Sequence, residues 1–160
     1  MSELRIGNRL IGDGHPAYVI AEIGLNHQGD VMLAKKLIDH AIAAKADAVK
    51  FQKRSLKDVY AKRVLEHAGA EEHGTHYTLH HIVQAELSDK DMSALHSYAK
   101  KRQIEFLCSP WDEESLKFLA KLDLAAYKVG SADMFNLKLL GKIAALNRPM
   151  LISTGMSFVS

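Results

Sequence analysis

Tyr18-Val19-Ile20-Ala21-Glu22-Ile23-Gly24-Leu25-Asn26-His27-Gln28-Gly29-Asp30 decides between the two architectures open to this chain. Its first six residues read as a β-strand, rich in β-branched and aromatic side chains, and Asp30 can cap a helix that follows. The turn between them lacks the G-x-G-x-x-G spacing of a doubly wound dinucleotide fold, and no P-loop pattern occurs anywhere in the chain. The other architecture is a (β/α)8 barrel, in which the C-terminal ends of parallel strands and the loops after them carry the chemistry.

Outward from this stretch the same alternation repeats. Further strand candidates are Ala48 to Gln52, Ile104 to Cys108, Ala126 to Val129 and Met150 to Ser153. Helices fill the gaps: Asp30 to about Ala44 carries an apolar stripe at Leu33, Leu37, Ile38 and Ile42, and Ser88 with Asp91 resembles a capping box before Met92 and Leu95. Asp112 and Asn136 open two more, one with Leu116 and Leu119, the other with Leu139, Leu140 and Ile143. Strands alternating with helices in this way predict an α/β fold with a parallel sheet. Leu4-Arg5-Ile6 and Arg9-Leu10-Ile11 flank Gly7-Asn8, so residues 1–17 are expected to form a hairpin or plug. A complete barrel needs about 250 residues. Residues 18–160 are therefore expected to be the first part of a TIM (β/α)8-type barrel, truncated after about five strands. The long His-rich connection from Lys53 to Leu87 breaks the rhythm; a short helix is expected within Leu56 to Leu65, and no element is assigned to Glu66 to Thr78.

Composition narrows the function. The 160 residues are 48% hydrophobic and 25% charged with net charge +2, enough apolar material for one sizeable core. So small an excess of Lys and Arg argues against nucleic acid or an anionic membrane as partner. No apolar run approaches the roughly 18 to 20 residues that span a bilayer. With a lone cysteine, Cys108, and no secretory pattern at the N-terminus, a reducing cytoplasm is the expected location.

Polar residues fall repeatedly where barrel strands end: Glu22, Asn26 and His27 with the first, Lys50 and Gln52 with the second, Ser109 with the third. Lys128, Ser131 and Asp133 follow with the fourth, Ser153 and Thr154 with the fifth. Lys50 and Gln52 share one side of their strand, Val49 and Phe51 the other. Two lysines among hydroxyl donors suit a phosphate or carboxylate ligand, although Lys50 also suits a structural ion pair with Glu22. His67, His73, His76, His80 and His81 lack the spacing of a metal motif and read as a solvated or substrate-facing loop. Cys108 reads as core packing, and Trp111 with Asp112 as packing and a helix cap.

Four blocks in order carry a family resemblance: Ala21 to Asp30, Ala46 to Lys53, Tyr127 to Asp133 and Ile152 to Ser157. Over roughly residues 15 to 157 the chain resembles the sialic acid synthase family. The resemblance implies a (β/α)8 barrel followed by a small antifreeze-protein-like domain, usually in a homodimer; the last barrel strands and that domain are expected to be absent here. It implies condensation of phosphoenolpyruvate with an N-acetylated hexosamine such as N-acetylmannosamine. In that reaction C3 of phosphoenolpyruvate attacks the open-chain aldehyde, water adds at C2 and phosphate leaves. By the same resemblance Lys50, Ser109, Lys128, Ser131 and Ser153 hold phosphoenolpyruvate, Glu22 and Gln52 meet the sugar, and Glu22 and Asp133 are the catalytic carboxyls. Asp133 stands where many members carry Glu, and Ser109 where some carry Thr. A divalent metal, manganese or magnesium, is implied for the complete enzyme, with its ligands on later strands and none in this chain, so the 160 residues alone are expected to be inactive. The alternatives are a non-catalytic half-barrel that binds a partner through its open strand edges, and a phosphosugar aldolase-type barrel that uses a lysine Schiff base.

Overall fold

The computed structural model describes residues 4–66 and 75–158. Among them, strands β3 (Ile20–Gly24), β4 (Ala48–Lys53), β5 (Glu105–Pro110), β6 (Tyr127–Val129) and β7 (Met150–Ile152) form one parallel sheet. They pair in the order β3-β4-β5-β6-β7, each beside its predecessor in the chain. A doubly wound sheet reverses its order at a switch point. This sheet never does, so it has barrel topology, with β3 and β7 as open edges among the described residues.

The helices begin where side-chain caps predict. Asp30 accepts from the Met32 and Leu33 amides at the start of α1 (Val31–Ala43), and Ser88 accepts from the Asp91 amide at α5 (Asp89–Lys101). Asp112 opens α6 (Glu113–Ala120) through the Ser115 amide, and Asn136 opens α7 (Leu137–Ala144) through the Leu139 amide. Each cap satisfies an amide that the first turn leaves without a partner.

Strand alternation divides the sheet into two faces. Val49, Phe51, Phe106, Cys108, Tyr127 and Val129 face outward and are buried against Ile38, Leu95, Leu119 and Ile143 of the helices. Ala48, Leu107 and Ala126 face inward and meet Ile6 from the antiparallel hairpin of β1 (Leu4–Ile6) and β2 (Arg9–Ile11). The hairpin thus plugs the end where the strands begin, tied there by an ion pair of 2.7 Å between Arg9 and Asp47. Gly7, at φ +55°, lies so close to Glu105 that a Cβ would sit 2.0 Å from its carboxylate oxygen.

One expectation needs correction. The long connection holds α2 (Leu56–Val59), α3 (Lys62–Glu66) and α4 (Thr75–Gln84), so the expected short helix is two, and part of the stretch left without structure is helical. Histidine has only middling helix propensity, and tertiary burial decides here: Leu79 is fully buried. His80 and His81 therefore lie on a helix, while His67 and His73 lie outside the described residues.

Candidate active site

The register that stacks β3, β4 and β5 sets Glu22 opposite Lys50 and Gln52 opposite Ser109. Lys50 is 6% exposed, and its Nζ is 2.8 Å from Glu22 Oε2 and donates to Ser109 Oγ at 3.3 Å. The ion pair anticipated as a structural device therefore exists, and it sits at the mouth formed by the strand ends. On β6, Lys128 Nζ donates to Ser153 Oγ at 2.5 Å and to the Val129 carbonyl at 2.6 Å. In both pairs the serine accepts from the lysine, which leaves the hydroxyl hydrogen free to donate to a ligand.

Burial lowers the Lys128 pKa, the charge of Lys50 lowers it further, and Glu22 opposes both. The two ammonium groups thus feel one another across the inner face. One carboxylate, Glu22, on the edge strand beside Lys50, stands against two cations, an excess of positive charge that favours an incoming anion.

Beside this cluster the backbone turns sharply. Gly24 has φ +55°, and a Cβ there would lie 3.1 Å from Glu22 Oε1 and 3.4 Å from Gln52 Nε2. An acceptor and a donor therefore flank a bare stretch of backbone. Gln52 Oε1 accepts from the guanidinium of Arg54. Arg54 is 3% exposed and stacks on Trp111, its Cζ 4.6 Å from the ring centroid.

Ser131 and Asp133 lie on the 3-10 turn that follows β6, on the same rim. Burial raises the Asp133 pKa and the nearby charge of Asp112 adds to it, against a lowering hydrogen bond from Asn136. Asp133 is thereby poised to hold a proton at higher pH than an ordinary aspartate.

The remaining candidates separate from this group. His27 is buried against Phe51, and its Nδ1 accepts the Gly29 amide at 3.1 Å, a loop-shaping role; burial lowers its pKa. Asn26 and Thr154 are exposed. Cys108 is fully buried on the helix-facing side and its thiol is pushed up to about 12, which suits core packing and not nucleophilic chemistry. Among the described residues no three His, Cys, Asp or Glu side chains converge on a metal-sized point. A concavity of about 580 Å3 lined by Asn8, His96, Glu105, Asp123 and Arg148 lies at the opposite end, where the strands begin, away from this chemistry.

The contacts of Lys50 with Ser109 and of Lys128 with Ser153 emerge only in the structure, whereas sequence reasoning set Glu22, Lys50, Gln52, Ser109, Lys128 and Ser153 at strand ends and paired Lys50 with Glu22. It missed Arg54, because a charged residue just past a strand reads as solvent-exposed. The available signal was the tryptophan two residues past Ser109, at the end of the neighbouring strand.

Parallel βα units in barrel order, with cations and hydroxyls gathered at their C-terminal ends, define a portion of a (β/α)-barrel fold. Residues 37–160 match the NeuB family, and the chain belongs to it. It is 40% identical over 149 residues to the N-acetylneuraminate-9-phosphate synthase of Mus musculus, covering 92% of this chain and 42% of that protein. It is 39% identical over 145 residues to the N,N'-diacetyllegionaminic acid synthase of Campylobacter jejuni, covering 87% and 42%. An N-acetylneuraminic acid synthetase from Leptospira borgpetersenii, crystallised with citrate, superposes with TM-score 0.82 at 32% identity over 99% of this chain and 51% of that one. The chain spans under half the length of these curated relatives.

Proposed function

We propose that this chain carries the phosphoenolpyruvate-binding portion of an enzyme that condenses phosphoenolpyruvate with an N-acetylated hexosamine, such as N-acetylmannosamine, to a sialic acid. The observation that carries the reading is the pair of lysines, Lys50 and Lys128, close enough to depress the basicity of the second and each bonded to a serine. Phosphoenolpyruvate brings a phosphate and a carboxylate, and two cations with two free hydroxyl hydrogens match that charge. Ser131 joins them from the turn after β6.

In this mechanism Lys50, Lys128, Ser109 and Ser153 hold the anion and stabilise charge as it moves onto the departing phosphate. Glu22 Oε1 and Gln52 Nε2, flanking Gly24, orient the sugar so that its open-chain aldehyde carbon meets C3 of phosphoenolpyruvate. The new bond joins those two carbons. The aldehyde oxygen takes up a proton as that bond forms; water then adds at C2 and gives its proton to Asp133, and the C2–O bond to phosphate breaks as the C2 hydroxyl loses its proton to become the product's keto oxygen. The divalent manganese or magnesium that the family resemblance implies finds no ligand cluster among the described residues, and no step here is routed through it. A cytoplasmic setting and a homodimer of the full-length protein belong to the same proposal. Among the described residues no helix is long and apolar enough to cross a membrane.

The test is mass-detected condensation of phosphoenolpyruvate with a panel of N-acetylated amino sugars in manganese, for this chain and for a chain of the relatives' length. A nine-carbon product from the longer chain, with one phosphate released per product, supports the reading, and this chain alone is expected to bind phosphoenolpyruvate weakly without turnover. No product from either overturns it. One observation favours a second reading: a lysine with lowered pKa, as Lys128 has, is also what a Schiff-base aldolase uses. Borohydride trapping with pyruvate separates the two, since only the aldolase leaves a reduced adduct.

A further inference from the structure

Arg54 is a buried cation whose guanidinium forms no direct salt bridge among the described residues, although the Glu86 carboxylate lies near enough to feel its charge. Its guanidinium lies on the Trp111 ring and donates to Gln52 Oε1, while Nε is buried with no hydrogen-bond partner. The backbone on either side is fixed. The Trp111 amide donates to the Lys53 carbonyl at 3.0 Å, and the Ser55 amide donates to Asp112 Oδ2 at 2.6 Å. Burying a charge costs several kcal/mol unless strong interactions offset it. Here the direct contacts are a tryptophan face and a glutamine, with the Glu86 carboxylate adding a longer-range attraction.

We propose that Arg54 is a positioning residue of the sugar site: stacked on Trp111, it holds Gln52 Oε1 and so fixes Gln52 Nε2 as a hydrogen-bond donor facing the acceptor sugar. A free glutamine amide presents oxygen or nitrogen with little preference. With Oε1 occupied by a cation, only the NH2 group is left to face Gly24, 3.4 Å from where a Cβ would be. On the other side, Glu22 gives Oε2 to Lys50 and leaves Oε1 beside Gly24. The site therefore offers one fixed donor and one fixed acceptor side by side. It selects a sugar that presents an acceptor oxygen to Gln52 and a hydroxyl or amide hydrogen to Glu22, and it rejects one with those roles exchanged, because the bound sugar would cover two polar groups, exposed Glu22 and half-buried Gln52, and set donor against donor and acceptor against acceptor.

This inference rests on the synthase reading, and its test separates the two. Side-chain amide resonances of Gln52 are followed by 15N NMR in the wild type and in Arg54→Met, with and without N-acetylmannosamine. Sugar and phosphoenolpyruvate KM values are measured for wild type, Arg54→Met, Gln52→Ala and the double variant of the natural protein. The expected result is a dispersed, slowly exchanging Gln52 amide pair that collapses to the solvent position in Arg54→Met. The sugar KM rises about tenfold in Arg54→Met, the phosphoenolpyruvate KM is unchanged, and no further rise follows in the Gln52→Ala background. A Gln52 amide unmoved by Arg54→Met overturns the clamp. Equal rises in both KM values, or fully additive effects with Gln52→Ala, show a merely structural arginine and overturn it too. A clamp that is intact by NMR in a protein that condenses no sugar overturns the synthase reading alone.

Discussion

At the scale of single residues the site is governed by two lysines that interfere with one another. Lys128 loses its proton at a pH below that of an ordinary lysine, about 10.4, because burial and Lys50 both disfavour its charge. Phosphoenolpyruvate affinity is therefore expected to fall with rising pH before the usual lysine range is reached. Lys128→Arg stays charged throughout, so its alkaline decline should vanish even if neutral-pH affinity drops. Fluorescence titration of phosphoenolpyruvate across pH checks this, and identical alkaline limbs would contradict it. Gly24 gives a second residue-scale expectation. Gly24→Ala places a Cβ 3.1 Å from Glu22 Oε1 at a φ of +55°. Such a left-handed alanine costs about 1–3 kcal/mol, and sugar affinity should fall with little change for phosphoenolpyruvate, as calorimetry with each substrate would show.

Elements are the scale at which the sequence was most readable. Val49-Lys50-Phe51-Gln52 alternates, and each side chain lies on the face that period two assigns, because one face of the strand is covered by helices and the other by the barrel interior. Asp30, Ser88, Asp112 and Asn136 were legible for a similar reason, since a cap is a local interaction spanning three residues. What stayed illegible depends on partners far along the chain: Arg54 needs Trp111, and α4 needs a burial site for Leu79. Between α6 and α7 the structure adds a contact that no local pattern reveals. Glu113 on α6 accepts from Lys138 and Lys142 on α7, and first Lys138, then Lys142, holds its pKa down to about 2. A carboxyl with a folded pKa below its unfolded value contributes stability above the unfolded pKa and loses it as pH falls toward the folded one. Thermal melts should therefore show an acid-dependent contribution between pH 4.5 and about 2 that disappears in Glu113→Gln. Because Glu113 is exposed, raised salt should shrink the effect. A Glu113→Gln variant with the wild-type acid profile would refute the contact.

For the whole molecule, two cores share one sheet: a large one between sheet and helices, and a small one where the hairpin enters the barrel interior. Ile6 is fully buried, lying against Ala48, Leu107 and Ala126. Ile6→Ala should destabilise the fold by about 2–5 kcal/mol in denaturant titration. Lys50 and Glu22, higher on the strands, should keep their separation, so the phosphoenolpyruvate affinity of the folded fraction is expected to persist. An equal loss of affinity would mean that the plug also shapes the site. Strand order was predictable at this scale from the missing glycine fingerprint after Ile23, whereas the inward path of the hairpin depends on contacts 40 to 120 residues distant.

Because every strand pairs with the one made just before it, the sheet can be completed in the direction of synthesis. The Glu22, Lys50 and Ser109 group is finished once β5 leaves the ribosome, while Lys128 waits for Ser153, 25 residues further on. A nascent chain stalled between β5 and β6 already owns a neutralised lysine and lacks the second cation. The proposed anion site therefore gains its second cation with β6 and the hydroxyl that holds that cation only with Ser153, after the first half of its pocket has been shaped.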